Sequence, residues 1–144
     1  MAGRNGIIYD QLMQVVAKVM GDRKPDSVAF VWMQGENDAK CGWQAAYYGA
    51  LRGVIQQIRA DLKEPDIAAV IGRISDHLKG DPAWDAVRAA QEKVAADEPR
   101  GAWVDTDDLN GEAGLHYTKD GYLELGRRFA ARAIGLIRKH EAAK

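Results

Sequence analysis

Ser27-Val28-Ala29-Phe30-Val31-Trp32-Met33 is a short run dominated by apolar strand formers, and Gln34-Gly35-Glu36-Asn37-Asp38 follows it directly. An apolar run of this length, rich in β-branched and aromatic residues, reads as a strand buried on both faces. The abrupt change to amides and carboxylates marks where that strand leaves the core. Two further runs have the same character: Ile-Ala-Ala-Val-Ile-Gly at 67–72 and the shorter Ala-Trp-Val-Asp at 102–105. Four helical stretches alternate with the three strands. Residues 7–20 repeat Leu12, Val15, Val16 and Val19 at helical spacing and end at Gly21. Residues 39–62 are expected as the longest helix, with Trp43, Tyr47, Leu51, Val54, Ile55, Ile58 and Leu62 on one face, stopped by Pro65. Asp81-Pro82 starts a helix over 83–97 that sets Trp84, Val87, Gln91 and Val94 on one face. The last helix covers about 119–140, with Thr118 as its N-cap and Leu125, Phe129, Ala133 and Leu136 inward. Apolar strands alternating with helices imply a parallel sheet covered by helices on both faces. The expected class is α/β, in three layers.

Length and composition narrow the possibilities. The chain has 144 residues, enough for a single domain over 1–144 with its own core. Twenty basic residues against 21 acidic ones leave a formal net charge of −1, which argues against nucleic acid as a partner. With 47% hydrophobic residues, the chain is not expected to be disordered. No apolar run approaches the ~20 residues of a membrane span, so no membrane partner is expected. A single cysteine, Cys41, excludes an intrachain disulfide framework and a multi-cysteine zinc site. Met1-Ala2-Gly3-Arg4-Asn5-Gly6 is polar and lacks the apolar segment of a secretory signal. As written the chain reads as cytoplasmic; a start further upstream would leave export open. Basic residues from Arg127 onward suit the negative end of the last helix.

In open α/β sheets, ligands bind outside the carboxyl ends of the strands. Here those ends read Gln34-Gly35-Glu36-Asn37-Asp38, Arg73-Ile74-Ser75-Asp76-His77 and Asp105-Thr106-Asp107-Asp108, the last followed shortly by His116. A glycine at a strand end lets backbone approach a ligand with its N–H free to donate, and an Asn nearby can supply a second donor. Two donors converging on one point form an oxyanion hole. Capping of the next helix by Asn37 or Asp38 would account for the same residues without chemistry. His116, in a loop just before a helix, suits a general base by its near-neutral titration, or else is a surface histidine beside a cap. His77 competes for that role, and His140 is expected in solvent. A metal-assisted hydrolase built on Asp38, Asp76, His77, Asp108 and His116 has no ligand pair at spacing such as H-E-x-x-H.

Trp32-Met33-Gln34-Gly35-Glu36-Asn37-Asp38 resembles the W-x-Q-G-E-x-D block of SGNH-type carbohydrate esterases, the sialate O-acetylesterase and acetylxylan-esterase-like proteins. Leu115-His116-Tyr117 with Gly121 and Leu125-Gly126-Arg127-Arg128-Phe129-Ala130 resembles the family's last block and closing helix. Ile71-Gly72-Arg73-Ile74-Ser75 and Val87-Arg88-Ala89-Ala90-Gln91 are similar to segments between them, so the likeness extends over about 7–140.

The resemblance implies an SGNH/flavodoxin-like sheet and hydrolysis of acetyl esters on a carbohydrate by a serine, a histidine and a carboxylate, with no cofactor and no metal. It places the base at His116 and the oxyanion donors at Gly35 and Asn37, with Gln34 as a further donor. For the acid it points to Glu36, with Glu112 and Asp108 as alternatives, because the position three before the histidine, an Asp in many relatives, is Ala113 here. The family's G-Q-S-N nucleophile block and its second block are missing, although Met1-Ala2-Gly3-Arg4 resembles what often follows the former. The only serines are Ser27, at the amino end of a strand, and Ser75, within the Gly-Arg-Ile-Ser segment; Cys41 is a weaker candidate nucleophile. Against the family pattern the domain is short of its first one or two strands, and the Ser27–Met33 strand would lie on an open edge suited to self-association. A non-catalytic, truncated or partner-binding α/β fragment is the competing expectation.

Overall fold

The computed structural model describes residues 6–111 and 114–143. Its elements are α1 (Ile7–Met20), β1 (Ala29–Trp32), α2 (Glu36–Lys40), α3 (Gln44–Leu62), β2 (Ala68–Gly72), α4 (Pro82–Asp97), β3 (Gly101–Val104) and α5 (Lys119–Glu141). The three strands form one parallel sheet in the order β1-β2-β3. The register pairs Ala29 with Ala68, Trp32 with Ile71 and Gly72 with Val104, so all three carboxyl ends emerge along one edge.

β2 is buried along its whole length, and its side chains alternate between two cores. Ala69 and Ile71 pack with Tyr47, Leu51 and Ile55 of α3 and Trp84, Val87 and Val94 of α4. Val70 turns to the opposite face, where Leu125 and Phe129 of α5 cover it together with Val104, Leu109 and Tyr117. The expected three layers, helices on both sides of a parallel sheet, are therefore present. Local signals operate as their chemistry requires. The Asp81 carboxylate accepts the Ala83 and Trp84 N–H groups, each at 2.9 Å, with Pro82 in the first turn of α4. Thr118 Oγ1 accepts the Gly121 N–H at 2.9 Å at the start of α5.

Three local expectations need correction. The helix expected over 39–62 is two helices, α2 and α3, separated by Cys41-Gly42-Trp43. Gly42 turns there at φ 76°, a conformation that ends one helix before the next begins. Trp43 thus stands at the N-terminus of α3 and is 57% exposed instead of lining its inner face. α2 also begins earlier than expected, so Glu36, Asn37 and Asp38 are helical; Gly35 occupies the N-cap position, and no side chain caps this helix.

The third correction concerns β1. It is not buried on both faces: it is the edge strand, and Val31 is 46% exposed. A continuous apolar run specifies a strand, but burial depends on neighbours, and none of the described residues forms a strand on its outer side. α1 lies alongside, with Met13, Val16 and Met20 lining a groove with Phe30, Ile58 and Leu62, and with the Tyr9 hydroxyl donating to Asp61 at 2.8 Å. Leu12 and Val31 also border that groove, and Ile8, Leu12, Val15 and Val19 of the helix remain exposed.

Candidate active site

The carboxyl end of β1 is fixed by a buried polar network. The Gln34 carbonyl accepts hydrogen bonds from the Trp32 indole at 3.1 Å, from the Gln91 carboxamide at 3.1 Å and from the Tyr47 hydroxyl. Tyr47 in turn accepts from the Trp32 indole and from Gln91 Nε2, both at 3.0 Å. Gln91 Oε1 accepts the Ile74 N–H at 2.8 Å, which joins the ends of β1 and β2 through α4. Gly35 is pressed into this network. A Cβ there would lie 2.8 Å from Val87 Cγ1 and 3.0 Å from the Tyr47 hydroxyl, so only glycine fits without displacement. Burial pushes the Tyr47 phenol up to about 12 despite the hydrogen bonds from Trp32 and Gln91, and the charges of Asp38 and Glu36 add to the rise.

The Gly35 N–H donates to its neighbour Glu36, reaching Oε2 at 2.9 Å. Glu36 is half-buried, and its charge also reaches Tyr117, whose phenol burial raises to about 12. The Gln34–Asn37 segment and the loop carrying His116 both lie at the carboxyl edge of the sheet. In that loop Leu115 packs against the α3–α4 core and Tyr117 is buried against the α5 core, while His116 between them is exposed. Tyr117 donates to Thr106 Oγ1 at 2.9 Å, and Thr106 donates to the Arg73 carbonyl at 2.6 Å, tying the loop to the ends of β3 and β2. The His77 ring closes the same loop from the β2 side: a Cβ on Gly114 would come within 2.5 Å of its Nδ1.

The acidic end of β3 is held by arginines. Arg88 grips Asp107 with two bonds of 2.8 Å and also donates to the Ile74 carbonyl at 2.5 Å. Arg73 bridges Glu92, Asp105 and Asp107 at 2.6, 2.6 and 2.9 Å, with its guanidinium 4.7 Å above the Trp103 ring. Burial alone would raise the Asp107 carboxyl, but Arg88 and Arg73 outweigh it and hold it below its ordinary value. Arg128 grips Asp108 with two bonds of 2.6 Å and holds that carboxyl low as well.

Of the expected site residues, Gln34, Gly35, Glu36 and Asn37 lie together at the end of β1, and His116 lies in a loop at the same edge of the sheet. Asn37 is exposed, with its Oδ1 accepting from the Cys41 thiol at 3.7 Å. The backbone carbonyl of Gln34 is the acceptor at the centre of the network. Among the acid candidates, Glu36 holds Gly35, Asp108 is engaged by Arg128, and Glu112 lies outside the described residues. Ser27 is exposed at the opposite end of the sheet, whereas Ser75 stands at the right edge but is 1% exposed, with its Oγ lacking a hydrogen-bond partner among the described residues. His140 pairs with Asp66 at 3.3 Å, near the amino ends of the strands. Among the described residues no group of three or more His, Cys, Asp or Glu side chains is arranged to hold a metal ion. Nor is any helix among them long and apolar enough to cross a membrane. The network of Tyr47, Gln91 and Trp32 was not anticipated as part of a site. Its signal was present in Gln91, an amide set within the apolar stripe of Trp84, Val87 and Val94.

No curated protein matches the chain by sequence. Among solved structures, a protein from Arabidopsis thaliana is similar with a TM-score of 0.75 and 21% identity, over 92% of this chain and 54% of that one. At that identity the likeness establishes the fold, and the chain spans about half the length of that protein. The family model described as carbohydrate esterase, sialic acid-specific acetylesterase, matches residues 2–135. A match over nearly the whole chain, in a fold that brings the Gln34–Asn37 and His116 segments to one sheet edge, places this chain in the sialic acid-specific acetylesterase family of carbohydrate esterases.

Proposed function

We propose that this chain carries the general base and the oxyanion-binding groups of a carbohydrate O-acetylesterase. In this mechanism a serine hydroxyl attacks the acetyl carbonyl carbon while His116 takes its proton. The negative oxygen of the tetrahedral intermediate is held by the Gly35 N–H and the Asn37 amide, with Gln34 as a further donor. Collapse expels the sugar hydroxyl, which receives the proton from His116, and water then releases acetate by the reverse sequence. Glu36 serves as the carboxylate that orients His116. For both of its partners to act, its carboxylate must leave the Gly35 N–H, which also frees that donor for the oxyanion. No metal or cofactor takes part. The nucleophile is left to a serine other than Ser27, at the wrong end of the sheet, and Ser75, sealed in the core.

The observation that carries this proposal is the pinned Gln34–Gly35 peptide at the carboxyl edge of the sheet, the edge at which the His116 loop also lies. The test is turnover of p-nitrophenyl acetate and of an O-acetylated sialic acid by protein that includes the attacking serine. His116→Ala is expected to lower the rate by about 10²–10⁴-fold, the usual contribution of a general base. A full rate in that variant would remove His116 from the mechanism. Turnover by the 144-residue chain itself, abolished in Ser75→Ala, would place the nucleophile at Ser75 instead.

A further inference from the structure

β1 and β2 stop pairing after Trp32 and Ile71, and continuing their register by two residues would bring Gln34 opposite Arg73. Beyond that point the strands are joined by a side chain. The Gln91 carboxamide accepts the Ile74 N–H through Oε1, at 2.8 Å, and donates to the Gln34 carbonyl through Nε2, at 3.1 Å. It stands where a peptide unit of an intervening strand would stand, taking an N–H on one side and supplying one on the other. Gln91 is 0% exposed, and its second N–H bonds the Tyr47 hydroxyl at 3.0 Å. A buried amide with its donors and acceptor all engaged has little freedom to rotate.

This anchoring has a consequence at Gly35. The carbonyl of Gln34 and the N–H of Gly35 belong to one peptide, which is planar and, with no cis bonds among the described residues, trans. The two groups therefore point in opposite directions. With the carbonyl drawn into the interior by Gln91, Trp32 and Tyr47, the N–H is directed outward at the sheet edge, where Glu36 Oε2 receives it.

We propose that Gln91 is a positioning residue for the oxyanion-binding Gly35 N–H, acting through the Gln34 carbonyl without touching substrate. Its role in turnover rests on the esterase function proposed above; its control of the Gly35 peptide does not. The test compares Gln91→Leu and Gln91→Glu with Val94→Ala, an equally buried site on the same helix whose apolar side chain cannot hydrogen-bond this peptide. The readouts are the Gly35 amide in ¹H–¹⁵N NMR, its hydrogen exchange and, in protein that includes the attacking serine, the separate kcat and KM for p-nitrophenyl acetate.

Both Gln91 variants are expected to shift the Gly35 amide, speed its exchange at least tenfold and lower kcat at least tenfold with KM within twofold. In Gln91→Glu the Gly35 resonance is expected to move back as the pH is lowered, because a protonated carboxyl regains a donor for the Gln34 carbonyl. Val94→Ala is expected to lose thermal stability without either change. An unmoved Gly35 amide in a folded Gln91 variant would overturn the proposal, as would the same perturbation in Val94→Ala. Where protein that includes the attacking serine shows no turnover, the esterase function fails and the Gly35 amide alone decides the role of Gln91.

Discussion

The two flanks of β1 are built in opposite ways. Toward β2, the strand end enters a closed polar network beneath a fully buried neighbour, and a single added methyl at Gly35 would collide with Val87 and Tyr47. Toward α1, Val31 is 46% exposed and the outer stripe of the helix presents Ile8, Leu12, Val15 and Val19 to solvent. The sequence of the two sides is almost equally apolar. What separates them is whether a second layer exists to receive those side chains. The precise part of the candidate site, the Gln34–Gly35 peptide, draws its order wholly from the β2 side.

Two aliphatic residues in neighbouring strands measure this difference. Ile71 in β2 is 0% exposed, and its partner across the ladder is Trp32, next to the half-exposed Val31. Ile71→Ala is expected to cost about 2–5 kcal/mol, the transfer of the lost methyl groups plus the cavity they leave. Val31→Ala is expected to cost under about 1 kcal/mol, because water already reaches it. Urea unfolding of the two variants tests this, and equal losses would mean that the β1 edge is covered in solution.

This contrast also explains what could be read from the chain. Strands, helices and their alternation were legible because each is written in local periodicity: Asp81-Pro82 and Thr118 start helices by chemistry confined to one turn. The placement of Gln34–Asn37 and His116 on one edge followed from strand direction alone. Burial of β1 was misread, since an apolar run looks the same at the centre and the edge of a sheet. The break at Gly42 was hidden because Trp43 and Tyr47 continue a helical spacing across it. The network at Gln34 was missed for a different reason. Trp32, Tyr47 and Gln91 come from three separate elements, and their convergence is a tertiary fact that no local spacing encodes.

The β2-side network makes stability depend on alkaline pH. Burial holds Tyr47 protonated in the native state up to about pH 12, whereas in the unfolded chain it ionises from its ordinary value of 10.0. Between those values the unfolded state has lost a proton that the native state keeps, so raising the pH favours unfolding. The contribution is fully present below pH 10 and is lost as the pH approaches 12, a fall of about 2–3 kcal/mol at ~1.4 kcal/mol per unit. Tyr117 adds a smaller share in the same direction because solvent screens it more. Tyr47→Phe is expected to lose about 1–2 kcal/mol at neutral pH, where the Gln34 carbonyl misses one donor, and to flatten the alkaline slope. An unchanged slope in that variant would place the titration elsewhere.

The α1 side makes the contrary prediction, an association in place of a titration. The outer edge of β1 offers backbone N–H and C=O groups with no ladder partner among the described residues, and an edge strand can pair antiparallel with a second copy of itself across a two-fold axis. Self-association through that edge, with Val31 at the contact, is the expectation to test. The exposed positions of α1 between its apolar ones include Gln11 and Gln14 with one acid, Asp10, and one base, Lys18, so no single sign of charge dominates that face. Val31→Lys sets two ammonium groups near the axis and is expected to weaken association about tenfold, roughly 1.4 kcal/mol. Thermal stability of the monomer should change little, because Val31 is already wet. Sedimentation velocity over a range of concentrations reads both proteins directly. A wild-type chain that stays monomeric at high concentration would show that the apolar edge of β1 does not recruit its own copy.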